Sequence, residues 1–535
     1  MTGDSRDPTR YDREYLSIPN VVRSAAARFG DATALVDRNA RWTFRELAQQ
    51  MVRSVKAAIA LGIAPGDRVG LCAPNSAEWI VAALGIQGAG GIVVPLNTRF
   101  KAGEQAYILR KCGATALFAS AFLGNDYIAA LHSAEPDLPA LRRTVCVLGE
   151  SSSADLSWRE FLAVGSDVTA ARAHEAIDRL GPDDVADVIF TSGTTGHPKG
   201  VILTHGQSLR AYGWMAEEYT FRPSDTFLIV PPFFHCFGYK AGWLASFMHG
   251  VTVVPMPVFD AGKALETIAA ERVSIMLGPP TIFLDLLRHP ARADYDLSSL
   301  RVSMTGGTTV PESLIHAMQK DLSFDIVMSA FGLTESSALV TTTRIGDPAE
   351  TVARTTGRAI PDVQVAIVGD DGTRLPPGQD GEIVVRGYNV TRGYWDDPEA
   401  TAATIDYDGW LHTGDIGRLD TDGNLSVVDR KKEMYIVGGF NAYPAEIEKL
   451  LLGHPAIDQV AVIGVPDERL GEVGCAFVVA KPGHEVGADE LIVWARGAMA
   501  NFKVPRYVRR VDQLPRNASQ KVLKDELRAR FAVTD

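Results

Sequence analysis

A chain of 535 residues exceeds the size of roughly 250–300 residues at which one hydrophobic core stops growing, so the length predicts two or more domains. Hydrophobic residues make up 46% and charged residues 22% of the sequence, which excludes the disordered, collagen-like and membrane-spanning classes of chain. The formal net charge of −12 argues against a nucleic-acid partner or an anionic membrane surface.

The termini and the apolar segments indicate a cytoplasmic protein. The first fifteen residues are polar and charged, unlike a signal peptide, so we expect no export and no integral membrane segment. The most apolar window, residues 80–96, is interrupted by glycines and by Pro95, which predicts a helix and then a strand in a core. The cysteines lack metal-ligand spacing and indicate neither disulfides nor structural zinc; they are Cys72, Cys112, Cys146, Cys236 and Cys475.

Strand-like and helix-like patterns alternate through about the first three hundred residues. Residues 67–72 predict a strand, 77–86 a helix and 91–96 a second strand. The same alternation recurs at 227–230 and 251–255, with a helix beginning near Ala261, and it continues to about residue 324. This rhythm is typical of α/β layers around largely parallel sheets.

Shorter strands and a compact C-terminal pattern follow. Residues 363–368 and 381–386 predict an antiparallel, β-rich subdomain because Asp-Gly turns separate them. After residue 430 we predict strands at 434–437, 460–465, 475–479 and 507–511, with helices beginning at Pro444 and spanning 488–500. This is the pattern of a small α+β domain. The predicted fold class is therefore α/β, with a large layered N-terminal domain and a small C-terminal one.

A segment rich in glycine and hydroxyl side chains directly follows the strand-like residues 187–190. Its glycines let backbone amides approach an anion, its hydroxyls are further donors and its lysine supplies a charge, so the segment suits phosphate. The spacing is not that of a Walker loop, and by composition alone a surface turn is an equal alternative. The residues concerned are Thr191, Ser192, Gly193, Thr194, Thr195, Gly196 and Lys199.

Residues 190–200 resemble the phosphate loop of the adenylate-forming superfamily, which contains acyl-CoA synthetases, luciferases and peptide-synthetase adenylation domains. Segments 331–335, 410–415, 429–432 and 515–521 resemble further motifs of that superfamily in the same order. The match covers nearly the whole chain after about residue 15. It implies an N-terminal ATP- and acyl-binding domain at 1–430, a mobile C-terminal domain at 431–535 and a hinge at Lys432.

The resemblance also implies the reaction and the residues that bind the nucleotide. ATP and a carboxylic acid would form an acyl-AMP, which coenzyme A would convert to an acyl-CoA. Glu335 would help to hold Mg²⁺, a hard cation suited to carboxylate and phosphate oxygens. The other implied nucleotide contacts are Gly306, Gly307, Thr308 and Phe331 around adenine, Thr334 at the phosphates, and Asp415 and Arg430 at the ribose.

Further residues are assigned by the same resemblance to the two half-reactions. Lys521 would neutralise the charge that builds up when the carboxylate attacks the α-phosphate. Gly438 and Gly439 would line the pantetheine tunnel, since glycine lets a thin ligand approach the backbone. The sequence departs from the superfamily pattern at Phe331, where tyrosine is usual, and at Gln520, where glycine is common.

Residues 231–240 resemble the loop that bounds the acyl pocket. His235 would lie near the carboxylate and Phe234 among aromatic walls that suit an apolar or alicyclic acid, while Lys240 would face a second polar group of the substrate or solvent. Residues 233–240, 278–281 and 289–292 look most like those of actinobacterial ligases that activate a propanoate derived from steroid rings. Medium-chain fatty acids and aryl acids remain open.

Two alternatives to a CoA ligase are compatible with the motifs. One is an acyl-AMP ligase that loads a carrier protein, and the other is a non-catalytic nucleotide-binding sensor, which ATP–pyrophosphate exchange would separate from an enzyme. The expected partners are the small-molecule acid, ATP and CoA. A homodimer is compatible with the sequence, which does not determine the oligomeric state.

Overall fold

The computed structural model describes residues 10–534 apart from 39, 136, 192–197, 307–309, 431–432, 438–439, 468–469, 500 and 518–520. The chain divides into two compact units: residues up to 364 with 385–411, and residues 365–384 with 412 onwards. This division groups residues 412–430 with the C-terminal region, whereas the sequence assigned them to the N-terminal domain. The boundary near residue 430 was proposed as a hinge, and it stays a prediction.

The larger sheet of the first unit has nine strands, and its central strands are parallel. Three antiparallel pairings, at Ala40–Thr43, Thr341–Thr342 and Arg358–Ala359, complete its two edges. The strand order is Arg358–Ala359, Thr341–Thr342, Ile326–Phe331, Val302–Gly306, Ile275–Leu277, Thr226–Ile229, Thr252–Pro255, Thr33–Asp37 and Ala40–Thr43.

The second sheet of this unit has eight strands and is again mostly parallel. Its antiparallel partners are the edge strand Lys199–Thr204 and the short strand Asn125–Asp126, which pairs with Ala116–Phe122. The main path runs in the order Lys199–Thr204, Val185–Thr191, Ile92–Pro95, Arg68–Cys72, Ala116–Phe122, Arg143–Leu148 and Leu156–Ser157.

Helices connect and cover these strands, as the alternating sequence pattern predicted. The α-helices of the first unit are Arg10–Tyr15, Ile18–Phe29, Phe44–Leu61, Ala77–Gly88, Ala102–Cys112, Tyr127–Ala134, Trp158–Val164, Ala170–Asp178, His205–Glu218, Cys236–Gly238, Ala245–His249, Ala261–Glu271, Pro280–Arg288, Glu312–Asp321, Ala349–Arg354 and Pro398–Thr404. Single turns of other helix types occur at Gly165–Asp167, Tyr239–Leu244, Arg292–Asp294 and Thr334–Ser336.

Local sequence explains where the longest of these helices begins and ends. Thr43 accepts a hydrogen bond from the Glu46 amide, and the Glu46 carboxylate accepts one from the Thr43 amide at 2.8 Å. This reciprocal cap satisfies two of the free amides at a helix start. Gly62 closes the helix with a φ of +90°, a left-handed conformation that glycine adopts without a steric penalty.

The apolar window at residues 80–96 is the helix and strand that the sequence predicted. Helix Ala77–Gly88 is buried on nearly every face, and strand Ile92–Pro95 is buried throughout. No helix among the described residues is long and apolar enough to span a bilayer. The five cysteines are buried and carry free thiols.

Apolar side chains fill the layers between helices and sheets in the first unit. Burying each large side chain contributes roughly 1.5–3 kcal/mol, so these layers hold the unit together. Around the nine-stranded sheet the core includes Leu228, Ile268, Phe283 and Leu314. Around the eight-stranded sheet it includes Val94, Ile108, Leu117 and Val188.

The described residues of the second unit form two smaller sheets and three α-helices. One sheet has the strand order Val363–Val368, Gly381–Gly387, Leu411–Leu419 and Leu425–Arg430. The other has the order Phe440–Ala442, Tyr435–Val437, Gly471–Ala480 and Ile457–Asp467, with Tyr507–Arg510 parallel to Gly471–Ala480. The helices are Pro444–Leu451, Ala488–Ala498 and Lys524–Thr534, with a 3₁₀ turn at Asn501–Lys503.

These elements confirm the α/β prediction. Every predicted strand and helix of the C-terminal region has a counterpart, with ends that differ by a few residues. The largest difference is in the long hairpin of strands Ile457–Asp467 and Gly471–Ala480, which extends well beyond the predicted 460–465 and 475–479. Its additional residues continue the backbone ladder, which the side-chain pattern does not reveal.

Candidate active site

The glycine-rich segment is bounded by a β-hairpin in the first unit. Strands Val185–Thr191 and Lys199–Thr204 pair antiparallel, and Lys199 lies opposite Thr191 in their register. The two ends of the segment are therefore neighbours. Its remaining predicted phosphate contacts, Ser192, Gly193, Thr194, Thr195 and Gly196, lie outside the described residues.

Glu335 lies beside this hairpin although it is far away in sequence. It belongs to the single turn Thr334–Ser336, which follows the carboxyl end of strand Ile326–Phe331. The Glu335 carboxylate oxygen Oε1 is 3.5 Å from the Thr191 hydroxyl. Thr334 is buried in the same turn. The structure thus brings together Thr191, Thr334 and Glu335, three of the predicted phosphate and metal residues.

A segment that the sequence analysis did not single out completes this cluster. The phenol of Tyr394 donates a hydrogen bond to Oε1 of Glu335 at 3.0 Å. The ammonium nitrogen of Lys199 is 5.1 Å from the centroid of the same ring. Tyr394 lies in no motif that we recognised, and the only hint was its glycine-flanked aromatic pair, Tyr394-Trp395, which is a weak signal.

The carboxylate of Glu335 and its neighbours fit the coordination habits of Mg²⁺. This ion is usually held by one or two carboxylates together with substrate phosphate oxygens and waters. Within the described residues no group of three or more His, Cys, Asp or Glu side chains could hold a metal by itself. A cation at Glu335 would therefore depend on the phosphates of ATP for its other ligands.

The predicted adenine residues occur at the ends of two parallel strands. Val302–Gly306 and Ile326–Phe331 are neighbours, with Gly306 paired to Ala330. A Cβ atom on Gly306 would lie 2.9 Å from the Ala330 carbonyl oxygen, so the position requires glycine. Phe331 is half-buried beside it. Gly307 and Thr308 lie outside the described residues.

The proline-aromatic loop at 231–240 is held by a buried asparagine. The Asn75 side chain donates to the Pro231 carbonyl at 2.9 Å and accepts from the Phe233 amide at 2.7 Å. It follows the carboxyl end of strand Arg68–Cys72, an edge at which α/β folds bind ligands, and this signal could have identified it. Phe234 is half-buried, and the His235 ring is exposed.

Lys240 lies in the protein interior. Its side chain has no exposed surface, and its ammonium nitrogen is 3.0 Å from the Asp187 carboxylate and 2.8 Å from the Ser208 hydroxyl. The alternative that Lys240 points to solvent is therefore wrong. Burial raises the pKa of Asp187, and the positive charge of Lys240 opposes that shift. The predicted contact of Lys240 with substrate stays a prediction, but the ammonium group already has two partners.

The predicted ribose residue Asp415 lies in the second unit. It is buried, and in the antiparallel pair of strands Leu411–Leu419 and Leu425–Arg430 it stands opposite Arg430. The preceding Gly414 has a φ of +68°, and its amide donates to the Glu382 carboxylate at 3.2 Å. This left-handed turn orients the backbone directly before Asp415. The side chain of Arg430 lies outside the described residues.

Lys521 lies in a short loop of the second unit. Its amide donates to the Asn517 side chain at 2.9 Å, and its ammonium nitrogen is 4.0 Å from Glu433. Lys524 fixes the base of this loop because its ammonium nitrogen is 3.1 Å from Glu433 and 2.9 Å from Glu448. The hinge and tunnel residues Lys432, Gly438 and Gly439, and also Gln520, lie outside the described residues.

Comparisons with known proteins identify the family to which the chain belongs. A family model described as AMP-binding enzyme matches residues 22–395, and one described as AMP-binding enzyme C-terminal domain matches residues 446–521. Two propanoyl:CoA ligases named for a methyl-dioxo-octahydroindene ring system are similar along their whole lengths. The Rhodococcus jostii protein is 47% identical, covering 95% of this chain and 98% of that protein. The Mycobacterium tuberculosis protein is 48% identical, covering 96% and 98%.

Solved structures have the same fold. An anthranilate CoA ligase in complex with anthranoyl-AMP superposes with a TM-score of 0.86 at 26% identity, covering 97% of this chain and 98% of that chain. A Mycobacterium tuberculosis fatty acyl CoA synthetase superposes with a TM-score of 0.76 at 33% identity, covering 98% and 99%. The chain therefore belongs to the AMP-binding, adenylate-forming family of enzymes, and the resemblance inferred from its motifs is confirmed.

Proposed function

We propose that this chain is an ATP-dependent carboxylic acid:CoA ligase whose acid is a bicyclic, steroid-ring-derived propanoate. The observation that carries the proposal is the near full-length identity of 47–48% to two CoA ligases named for such an acid. The cluster of Thr191, Glu335 and Tyr394 supports the ATP-dependent step, because it combines a carboxylate with hydroxyl donors beside the glycine-rich segment.

In the first half-reaction the carboxylate of the acid attacks the α-phosphorus of ATP. A new carboxyl–phosphorus bond forms, the bond to the β-phosphate bridging oxygen breaks, and pyrophosphate leaves. Lys521 neutralises the charge shared by the carboxylate and the α-phosphate. Glu335 would help to hold Mg²⁺, which when bound would supply positive charge to the phosphate oxygens of ATP. Asp415 accepts hydrogen bonds from the ribose hydroxyls, as an ionised carboxylate does well.

In the second half-reaction the sulfur of CoA attacks the acyl carbonyl. The thiol proton passes to water, a carbon–sulfur bond forms, and the bond between the acyl carbon and the phosphate oxygen breaks, so that AMP leaves with its electron pair. The resemblance to the superfamily supports a rotation about Lys432 between the two steps and a tunnel for pantetheine beside Gly438 and Gly439. Lys521 and Gly439 would then act in different half-reactions.

The acid is held by the loop at 231–240. Asn75 fixes this loop through its backbone, so Phe234 and His235 are presented from a rigid support. The aromatic rings of Phe234, which is half-buried, and His235, which is exposed, suit an acid with an alicyclic body more than an acid that carries a second charged group. Because Lys240 is already paired with Asp187, a second polar group on the acid would have to be bound by other residues.

A substrate panel tests the proposal. Purified chain is incubated with ATP, Mg²⁺ and CoA and one of three acids: a bicyclic propanoate, a medium-chain fatty acid or an aryl acid. Pyrophosphate, AMP and the CoA thioester are measured separately. We expect all three products, with the largest kcat/KM for the bicyclic acid.

Other outcomes identify the alternatives. A preference for the fatty or aryl acid would overturn the substrate assignment but would leave the assignment as a CoA ligase unchanged. Pyrophosphate release without a CoA thioester would favour a ligase that loads a carrier protein. A nucleotide-binding sensor would release no pyrophosphate with any acid.

A further inference from the structure

We infer that Tyr394 is a positioning residue that orients the Glu335 carboxylate for binding Mg²⁺ with ATP. The inference rests on the proposed function, because it assigns Glu335 to the metal. It concerns residues of the first unit alone. Tyr394 lies 59 residues from Glu335 in sequence, so only the fold brings the two side chains together.

The hydrogen bond fixes one oxygen of the carboxylate. The Tyr394 phenol donates to Oε1 of Glu335 at 3.0 Å, and the Thr191 hydroxyl is 3.5 Å from the same atom. Bonds to an ionised acceptor are about twice as strong as neutral ones, so this contact restricts rotation of the carboxylate.

The ring of Tyr394 also contacts the hairpin. The Lys199 ammonium nitrogen is 5.1 Å from the ring centroid, within the range of a cation–π interaction. One side chain thus touches both a carboxylate predicted to bind the metal and a lysine predicted to bind phosphate.

The backbone around Tyr394 is tied to both elements that it orients. The Thr391 amide donates to the Glu335 carbonyl at 2.7 Å, and the Thr391 hydroxyl donates to the Ile202 carbonyl at 2.7 Å. The Trp395 amide donates to the Gly200 carbonyl at 2.7 Å. Tyr394 is therefore held at a fixed distance from Glu335 and from the hairpin, as a positioning residue must be.

The same segment offers a matched control. Tyr388 is half-buried like Tyr394, and the Arg210 guanidinium lies 3.9 Å from its ring centroid. Its buried hydroxyl has no hydrogen-bond partner among the described residues. Removing the Tyr388 hydroxyl therefore takes away one oxygen atom and no hydrogen bond to Glu335.

The test compares Tyr394→Phe with Tyr388→Phe. ATP–pyrophosphate exchange is measured over a range of Mg²⁺ concentrations with the preferred acid. We expect Tyr394→Phe to need a roughly 10- to 100-fold higher Mg²⁺ concentration for half-maximal exchange, as loss of a partner behind a metal ligand commonly requires. The KM for the acid should be unchanged. Tyr388→Phe should match the wild type in both measurements.

Equilibrium binding supplies a readout that does not depend on turnover. Calorimetry measures ATP binding with Mg²⁺ and then with EDTA. We expect Tyr394→Phe to weaken binding only when Mg²⁺ is present. Equal weakening in both conditions, or none in either, would overturn the inference. If the wild type forms no acyl-AMP with any acid, the proposed reaction fails, but the binding experiment still decides the role of Tyr394.

A double variant separates orientation of Glu335 from general support of the fold. In a Glu335→Gln background the further change Tyr394→Phe should have little additional effect on the Mg²⁺ requirement, because the group that it orients is gone. Thermal unfolding of all four proteins is measured alongside. An equal shift in both backgrounds, or a loss of activity that follows the melting temperature, would contradict the inference.

Discussion

Two lysines, one in each unit, differ sharply in their surroundings. Lys240, in the first unit, has no exposed side-chain surface, and its ammonium nitrogen is 3.0 Å from Asp187. Lys521, in the second unit, has a side chain that is 54% exposed, and its ammonium nitrogen is 4.0 Å from Glu433. The first charge is held by a close, permanent partner, whereas the second remains accessible to a ligand.

This difference bears on which of the two ammonium groups a substrate could reach. An ammonium buried in the interior needs a partner at all times, because the cost of removing it from water is large. A lysine that neutralises charge only as a transition state forms must be reachable by substrate. Lys240 therefore has the surroundings of a structural residue, whereas the exposure of Lys521 is compatible with the catalytic role proposed for it.

The largest effect is expected from breaking the buried pair. Lys240→Met leaves the Asp187 carboxylate buried without its counter-charge, which should lower the free energy of unfolding by about 3–5 kcal/mol. Urea unfolding followed by circular dichroism measures the loss. The double variant Lys240→Met/Asp187→Leu removes both charges and should recover most of the stability. Wild-type stability for Lys240→Met alone would show that the pair is not structural.

The next largest effect concerns Lys521. Lys521→Ala should lower acid-dependent ATP–pyrophosphate exchange by roughly 10²–10³-fold, the usual cost of removing a group that stabilises transition-state charge. It should leave unchanged the formation of thioester from supplied acyl-AMP. Equal loss in both assays would refute the assignment of Lys521 to the first half-reaction.

Two further variants act as controls for Lys521. Lys481→Ala removes a half-buried lysine of the same unit, whose ammonium group donates to the Pro455 carbonyl at 2.8 Å, and it should change neither assay. A bulky replacement, Gly439→Trp, should have the reverse effect of Lys521→Ala, because it would block the predicted pantetheine tunnel. Exchange should continue in that variant while thioester formation falls by about tenfold or more, as blocking one half-reaction requires.

The buried side chain of His205, whose pKa is affected by Lys240, predicts that the stability of the protein depends on pH. Burial, and then the charge of Lys240, lower the pKa of His205 to about 3, and its Nδ1 accepts a hydrogen bond from the Ile18 amide at 3.2 Å. The unfolded chain binds a proton at His205 below about pH 6.5 while the folded chain does not. Stability is therefore lost as the pH falls from about 6.5 towards 3, by about 2 kcal/mol at pH 5.

The variant His205→Asn tests this source of acid sensitivity. Asparagine keeps an acceptor for the Ile18 amide but does not titrate. The difference in unfolding free energy between pH 7 and pH 5 should be smaller in the variant than in the wild type. An unchanged difference would mean that His205 is protonated in the folded protein or contributes nothing to the slope.

The smallest effect is expected from an ion pair at the surface. The side chains of Arg179 and Glu175 are 73% and 62% exposed although they form a salt bridge. Arg179→Ala should change the free energy of unfolding by at most about 0.5 kcal/mol, since water and salt screen such pairs. A loss as large as that expected for Lys240→Met would contradict the expectation that breaking a buried ion pair costs more stability than breaking an exposed one.

Most of the fold could be predicted from periodicity and turn residues. The helix at 77–88 and the strand at 92–95 follow from an apolar run interrupted by glycine. The two-sheet arrangement of the first unit could not be predicted, because strands such as Thr33–Asp37 and Thr252–Pro255 are neighbours across more than two hundred residues. Backbone ladders of that kind carry no signature in a local pattern.

The candidate site could be predicted only in part. Thr191 and Glu335 were identified by their motifs, and the structure brings them within 3.5 Å of each other. Tyr394 and Asn75 were missed, because each contributes through a partner that is distant in sequence. The alternative that Lys240 faces solvent is wrong, and local sequence could not exclude it because the partner Asp187 is 53 residues away.

The sequence by itself determined the enzyme family and the order of the motifs, since these depend on residue types at fixed local spacings. It also determined which residues can carry charge. Only the tertiary structure decided which of those charges are paired, because burial and ion pairing depend on residues that meet through the fold. The same chemical group is therefore structural at Lys240 and accessible at Lys521.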